Sequence, residues 1–194
     1  MRKAYLFTLL LSVFFSCTLH AQTTKTIDVA QPGTLSATLG EELKTIKDLT
    51  VTGKINTSDI DGLAQANALE VLNLLDAVIV DAEGKETTVF PGYTFRKHPA
   101  LTTFTFPKTV TTVGNGAFFK CQKLKKVVLP QTIKKLNETV FMSCSALSDI
   151  NFPNGLESIG RSALYMTAIT EFTAPKSLKT LGDNALYGTQ ITKA

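Results

Sequence analysis

The sequence predicts an α/β fold: a right-handed solenoid whose parallel ladder of short strands faces a wall of short helical turns, behind a small N-terminal cap. Three observations point to it. Prolines at 107, 130, 153 and 175 recur at intervals of 22 or 23 residues, within the range of solenoid repeats. Apolar residues recur in step with them, as Leu101-x2-Phe104-x-Phe106, Leu124-x2-Val127-x-Leu129, Leu147-x2-Ile150-x-Phe152 and Ile169-x2-Phe172-x-Ala174. The second half of each unit also repeats, from Val110-x2-Val113-Gly114-x2-Ala117-Phe118-x2-Cys121 to Leu178-x2-Leu181-Gly182-x2-Ala185-Leu186-x2-Thr189. A unit this short cannot bury its own apolar side, so the copies must stack.

At the N-terminus, Met1-Arg2-Lys3 and the apolar run from Ala4 to Phe15 have the pattern of a signal peptide, residues 1–21, cut after Ala21. A second reading takes Cys17 as a lipidated cysteine, with Phe14 and Phe15 departing from the usual lipobox. Both readings place the chain outside the cytoplasm, extracellular or at the cell surface. No later segment is long and apolar enough to span a membrane.

Residues 22–66 read as the cap. Leu49 to Ile55 is a strand, and Thr57 or Ser58 N-caps a short helix through Ala66. Asp59 and Asp61 fall at that helix's start, where terminal solvation accounts for them. Residues 67–194 form the solenoid of about five coils, the last one incomplete. Leu69-x2-Leu72-x-Leu74 opens the first, which is lengthened to 32 residues by the polar loop Asp81 to Thr88. In each unit the apolar positions alternate about an outward residue, which is strand periodicity, and Pro ends the strand. Gly114, Asn137, Gly160 and Gly182 form a column of the residue types that a positive-φ turn selects. The Ala-Phe pair that follows is assigned to a short helical turn on the opposite wall. From Ile191 onward a further strand begins, leaving a ladder edge open to pairing with another chain.

This column of Leu, Pro, Gly, Ala-Phe and Cys closely resembles the BspA-like leucine-rich repeat family of bacterial surface proteins, over residues 69–194 and most strongly over 101–189. The last two units depart from it with Leu164 and Leu186 in place of Phe, and Thr167 and Thr189 in place of Cys. Pro32-Gly33-Thr34-Leu35, Leu49 to Asn56 and Ser58-Asp59-Ile60 resemble the family's N-terminal segment. The resemblance implies a leucine-rich repeat solenoid acting as a non-enzymatic binding or adhesion module. Its partners would be proteins or polysaccharides, host matrix proteins among them.

The residues agree with an absence of enzyme chemistry. Outside the leader His98 is the one histidine, and no nucleophile spacing, phosphate loop or metal-ligand motif accompanies it. No catalytic residue, metal ligand or cofactor is assigned. A carboxylate-using hydrolase is the competing enzyme reading, but Glu138, Glu157 and Asp183 are spread along outer turns. Cys121 and Cys144 stand one repeat apart, so their Cα atoms are about 5 Å apart, within disulfide reach. Their side chains should run parallel, which favours buried thiols over a bridge. Asn137-Glu138-Thr139 matches a glycosylation sequon by coincidence in a bacterial chain.

Two surfaces are candidates for binding. Asn73, Thr105, Val128, Asn151 and Thr173 stack into a stripe on the concave strand face, with Thr103, Lys126, Asp149 and Glu171 beside them. The stripe is small and polar, suited to weak, multivalent contacts. The second is a basic patch of Lys120, Lys123, Lys125, Lys126, Lys134 and Lys135, suited to an acidic polysaccharide or protein surface. The chain has 20 basic and 16 acidic residues, but residues 101–194 hold 11 basic against 5 acidic ones. That asymmetry steers a charged partner to the C-terminal half. No aromatic is interleaved with the lysines as a nucleic-acid groove requires, so nucleic acid is excluded. A structural role in a larger envelope assembly is the alternative to binding.

Overall fold

The computed structural model describes residues 24–192, so the leader reading with Cys17 lies outside the described residues. The first strands are β1 (Lys25–Val29) and β2 (Asp48–Ile55), separated by helix α1 (Leu35–Leu39) and a 3-10 turn, Gly40–Lys44. Helix α2 (Thr57–Ala64) follows, then β3 (Val71–Asn73) and β4 (Ala77–Ile79). The repeats then supply pairs of short strands. These are β5 (Val89–Phe90) and β6 (Thr103–Thr105), β7 (Thr112–Val113) and β8 (Lys126–Val128), and β9 (Lys135–Leu136) and β10 (Asp149–Ile150). The last are β11 (Ser158–Ile159) and β12 (Thr180–Leu181).

Two parallel sheets result. One runs β1-β2-β3-β6-β8-β10, with β4 also on β2, and the other runs β5-β7-β9-β11-β12. In the first, Leu72, Phe104 and Val127 are register partners, and in the second Phe90, Val113, Leu136, Ile159 and Leu181 are. The cap strands are thus the first rungs of the repeat ladder, which covers its N-terminal edge. Inward columns are buried along the array, and phenylalanine fills the second and third coils. Phe118 stacks on Phe95 with ring centroids 5.4 Å apart and on Phe141 at 5.5 Å. Each column Pro is buried, and its carbonyl accepts from the amide three residues on, as in Ile133 to Pro130 at 3.2 Å.

The third wall carries a different conformation from the helical turns the sequence suggested. It is a run of tight turns joined coil to coil: the Phe95 amide donates to Ala117, Phe118 to Val140, Phe141 to Ala163 and Leu164 to Ala185. Each turn has two left-handed residues. Tyr93, Gly116, Thr139, Ser162 and Asn184 form one such column, and Lys97, Lys120, Ser143, Met166 and Gly188 the other, all with φ between 53° and 70°. Two left-handed residues within five interrupt any right-handed helix.

The glycine column is explained by close approach, not by positive φ. Gly114, Gly160 and Gly182 are absent from the left-handed region, but a Cβ on Gly160 would lie 2.6 Å from the Asn137 carbonyl carbon, and on Gly182 2.5 Å from the Arg161 nitrogen. Stacked coils touch backbone to backbone there. The cap also differs from expectation. The α2 N-cap is Asn56, one residue before Thr57, in a reciprocal capping box with Asp59. Asp59 is 1% exposed rather than solvated. Its carboxylate accepts from the amides of Gly33 at 2.6 Å, Leu35 at 2.9 Å and Asn56 at 3.1 Å, tying α1 to α2. No helix among the described residues is long and apolar enough to cross a membrane.

Three substitutions check these contacts by urea unfolding. Gly160→Ala destabilises by about 1–3 kcal/mol because the opposing atoms are backbone. Gly155→Ala is close to neutral, since its Cβ would crowd only the flexible end of Lys134 at 3.2 Å and meet the Gln131 and Ile133 carbonyls at ordinary contact distances of 3.5 and 3.8 Å. Asp59→Ala strands three buried or half-buried amides and costs about 2–4 kcal/mol. Equal stability of the two alanine variants at 155 and 160 would contradict the close-approach reading.

Candidate binding surfaces

The strand stripe is assembled by register. Asn73, Thr105 and Val128 are partners across β3, β6 and β8, and Val71, Thr103, Lys126 and Asp149 stand two residues before in each coil. Two members of the stripe serve the fold. Asn151, just past β10, accepts from the Leu129 amide at 2.8 Å and donates to the Leu129 carbonyl at 2.8 Å, extending the ladder with its side chain. Asn73 accepts from the Leu75 amide at 3.0 Å. Lys126 pairs with Asp149 at 2.8 Å, and both are half or more exposed, an arrangement worth little to stability. Thr173 is exposed in the last coil.

The structure distributes the basic patch over separate walls. Lys126 lies on the first sheet, paired as above. Lys134 reaches Glu157 at 3.7 Å, beside the closer Lys179 at 2.8 Å, and these cations hold the Glu157 carboxyl below its usual range. Lys135 lies on the second sheet, in an open groove with Glu138, Arg161 and Asp183. Lys125 is exposed beside the first sheet, its amide on Thr102. Only Lys120 and Lys123 come together, on the turn wall, where Lys97 joins them. Side-chain alternation along each short strand sends sequence neighbours to different surfaces.

Glu138 and Asp183 share that groove, with Arg161 of the intervening coil between them. Glu138 pairs with Arg161 at 3.4 Å, and Glu157 belongs to the lysine cluster instead. At the ladder's end, Leu181 is 49% exposed although its column partners Val113, Leu136 and Ile159 are fully buried.

The inward column His98, Cys121, Cys144, Thr167 and Thr189 is a hydrogen-bonding column. Cys121 and Cys144 are free buried thiols that donate to the carbonyls of Phe95 at 2.9 Å and Phe118 at 3.0 Å, one coil back. Thr167 and Thr189 donate instead to Leu164 and Leu186 of their own turns. His98 Nδ1 accepts from the Leu101 amide at 3.1 Å, and Nε2 has no partner at hydrogen-bond geometry. Burial holds the His98 pKa below the ordinary imidazole range, opposed by the Ala66 carbonyl. Burial likewise pushes the Cys144 thiol well up, with Cys121 beside it adding to the rise.

Sequence reasoning missed one row altogether. Arg96, Phe119, Met142, Tyr165 and Tyr187 occupy the outward position directly after the buried Phe or Leu of each turn. Arg96 lies 5.2 Å from the Phe119 ring centroid, and the Tyr165 and Tyr187 rings stack at 5.3 Å. The signal was the repeat position itself, which holds the large side chains that the strand stripe lacks.

Short parallel strands, stacked columns of leucine and phenylalanine, and tight turns at a constant period define a leucine-rich repeat solenoid. The family model described as a BspA type leucine rich repeat region matches residues 85–194 in 6 copies, and the chain belongs to that family. Among solved structures it is similar to a leucine rich repeat protein of T. pallidum, with a TM-score of 0.56 and 22% identity, covering 63% of this chain and 56% of that one. It is also similar to the pneumococcal vaccine antigen PcpA, with a TM-score of 0.50 and 19% identity, covering 75% of this chain and 44% of that one. At such identities the likeness is one of fold, and this chain spans about half the length of either structure. No curated protein matches the chain.

The buried column makes stability depend on pH on the acid side. The unfolded chain protonates His98 before the folded one does, so stability present above about pH 6.5 is lost as pH falls through the lowered value. Unfolding free energies measured from pH 5 to 8 should fall on the acid side through the lowered His98 value. His98→Gln, which retains an acceptor for the Leu101 amide, should flatten the acid side; an unchanged acid slope would contradict the assignment.

Proposed function

We propose that this chain is a non-enzymatic binding module, exported to the cell surface or beyond, which holds a protein or polysaccharide partner along its strand-ladder face. One observation carries the reading: the register partners Asn73, Thr105 and Val128 form a straight outward row on hydrogen-bonded strands. Such a row repeats at about the 4.8 Å strand spacing and offers an extended partner a regular series of small side chains, polar at Asn73 and Thr105 and apolar at Val128. Contacts that are weak singly become useful when several are made together. The Lys126–Asp149 pair beside the row is exposed and balanced, so the face repels neither sign of charge. Membership of a family known for surface proteins supports display outside the cell, and the pattern of residues 1–21 supports export.

The test is binding of the mature chain to arrays of matrix proteins and polysaccharides. The variants are Thr105→Arg and Val128→Arg, which place a long charged side chain on the row without touching the core. The expected result is a captured partner whose affinity falls by about tenfold or more in either variant. A partner bound equally well by both variants would place binding elsewhere, and a chain that captures nothing would count against the module reading itself.

A further inference from the structure

We infer that the turn wall carries a second, independent site, built by Lys97, Lys120 and Lys123, for the carboxylate or sulfate groups of an acidic polysaccharide. The left-handed turns of successive coils project Lys97 and Lys120 from the same repeat position. With Lys123 they surround a cleft of about 320 Å³, whose remaining lining is His98, Pro99 and Gln122. No carboxylate lines it. Several other surface lysines are paired, Lys47 with Glu70, Lys108 with Asp76, Lys126 with Asp149 and Lys179 with Glu157, and what sets Lys97, Lys120 and Lys123 apart from the other unpaired ones is that all three line one cleft. Among the described residues no ion pair engages Lys97, Lys120, Lys123 or their neighbour Arg96. Concentrating like charges without a counter-charge is unfavourable until an anion neutralises them. Lys120 is held 5.2 Å from the centroid of the Phe119 ring, with Arg96 outside the cleft at the same distance from that ring, so one of the three lysines is positioned before a ligand arrives.

The chemistry of the wall favours a polysaccharide over an acidic peptide. A peptide docking as an added strand needs free backbone amides, but Lys97 and Lys120 donate theirs to Phe119 and Met142 of the next coil. A sugar chain needs only its anionic groups met by the ammoniums and a hydroxyl within reach of Gln122. Lysine heads act as point charges and accept carboxylate and sulfate alike.

Titration calorimetry of the mature chain at low salt tests this, with heparin as the sulfated probe, polygalacturonate as the carboxylated one and dextran as the neutral one. At least one acidic polymer should bind and dextran should not; which acidic polymer binds identifies the source of the anion. The triple variant Lys97→Ser, Lys120→Ser, Lys123→Ser should bind about tenfold or more weakly and show a shallower salt dependence. The charge-matched control Lys44→Ser, Lys85→Ser, Lys176→Ser should stay within about twofold, and all variants should unfold at the same urea concentration. Thr105→Arg should leave this binding unchanged, which separates failure here from failure of the strand-face reading. Equal weakening in the two triple variants, no binding of either acidic polymer, or tighter binding of polyglutamate would overturn the inference.

Discussion

Backbone hydrogen bonding between successive coils is the constraint from which the rest of the molecule follows. It operates on all three walls. Lys125 and Lys126 donate to Thr102 on the first sheet, Lys134 and Lys135 to Thr111 on the second, and Phe95 to Ala117 on the turns. Three such ladders hold neighbouring coils at one strand spacing, about 4.8 Å, around the whole perimeter. Each residue therefore packs against its own repeat position in the next coil. Side chains must suit themselves in a stack, which selects leucine and phenylalanine inside and permits near-parallel rings such as Phe95 and Phe118, 4° apart in plane. Where the backbone surfaces close further, three of the four coils use glycine, as at Gly160, where a Cβ would lie 2.6 Å from the Asn137 carbonyl carbon.

The same constraint shapes the surface. A column facing outward becomes a row, and its character depends on which residues the repeats place there. The strand face collects small polar side chains and a balanced ion pair. The turn wall collects aromatic and cationic ones, because left-handed backbone at Lys97 and Lys120 turns those side chains out. Two surfaces of unlike chemistry thus arise from one period, and a solenoid with a solid core can act through both without moving.

Much of this was legible in the sequence, because burial writes itself into apolar residues at fixed spacing. The period, the strand positions, the inward columns and the family all followed from Leu, Phe and Pro. Other features were hidden because one residue type answers more than one physical demand. Glycine suits both a positive φ and a tight backbone contact, and Gly114, Gly160 and Gly182 meet the second demand. The real left-handed columns include Gly116, Asn184 and Gly188, but in most coils they hold residues such as Tyr93, Thr139 and Met166, whose types announce nothing of the kind. Asp59 looked like a solvated helix end, and only the fold of residues 33–35 onto it reveals a buried cap. The basic patch was a patch in sequence alone, since Lys126 and Lys135 belong to different sheets.

Native-state hydrogen exchange tests the central claim most directly, by comparing inter-coil amides from the three walls of one coil, such as Lys126, Lys135 and Phe118. If the three ladders act together, these amides exchange with closely similar protection and lose it together as urea is added. Protection confined to the two sheets, with Phe118 exchanging at the rate of a free amide, would show that the turn wall contributes nothing and that the coils are held from two sides only.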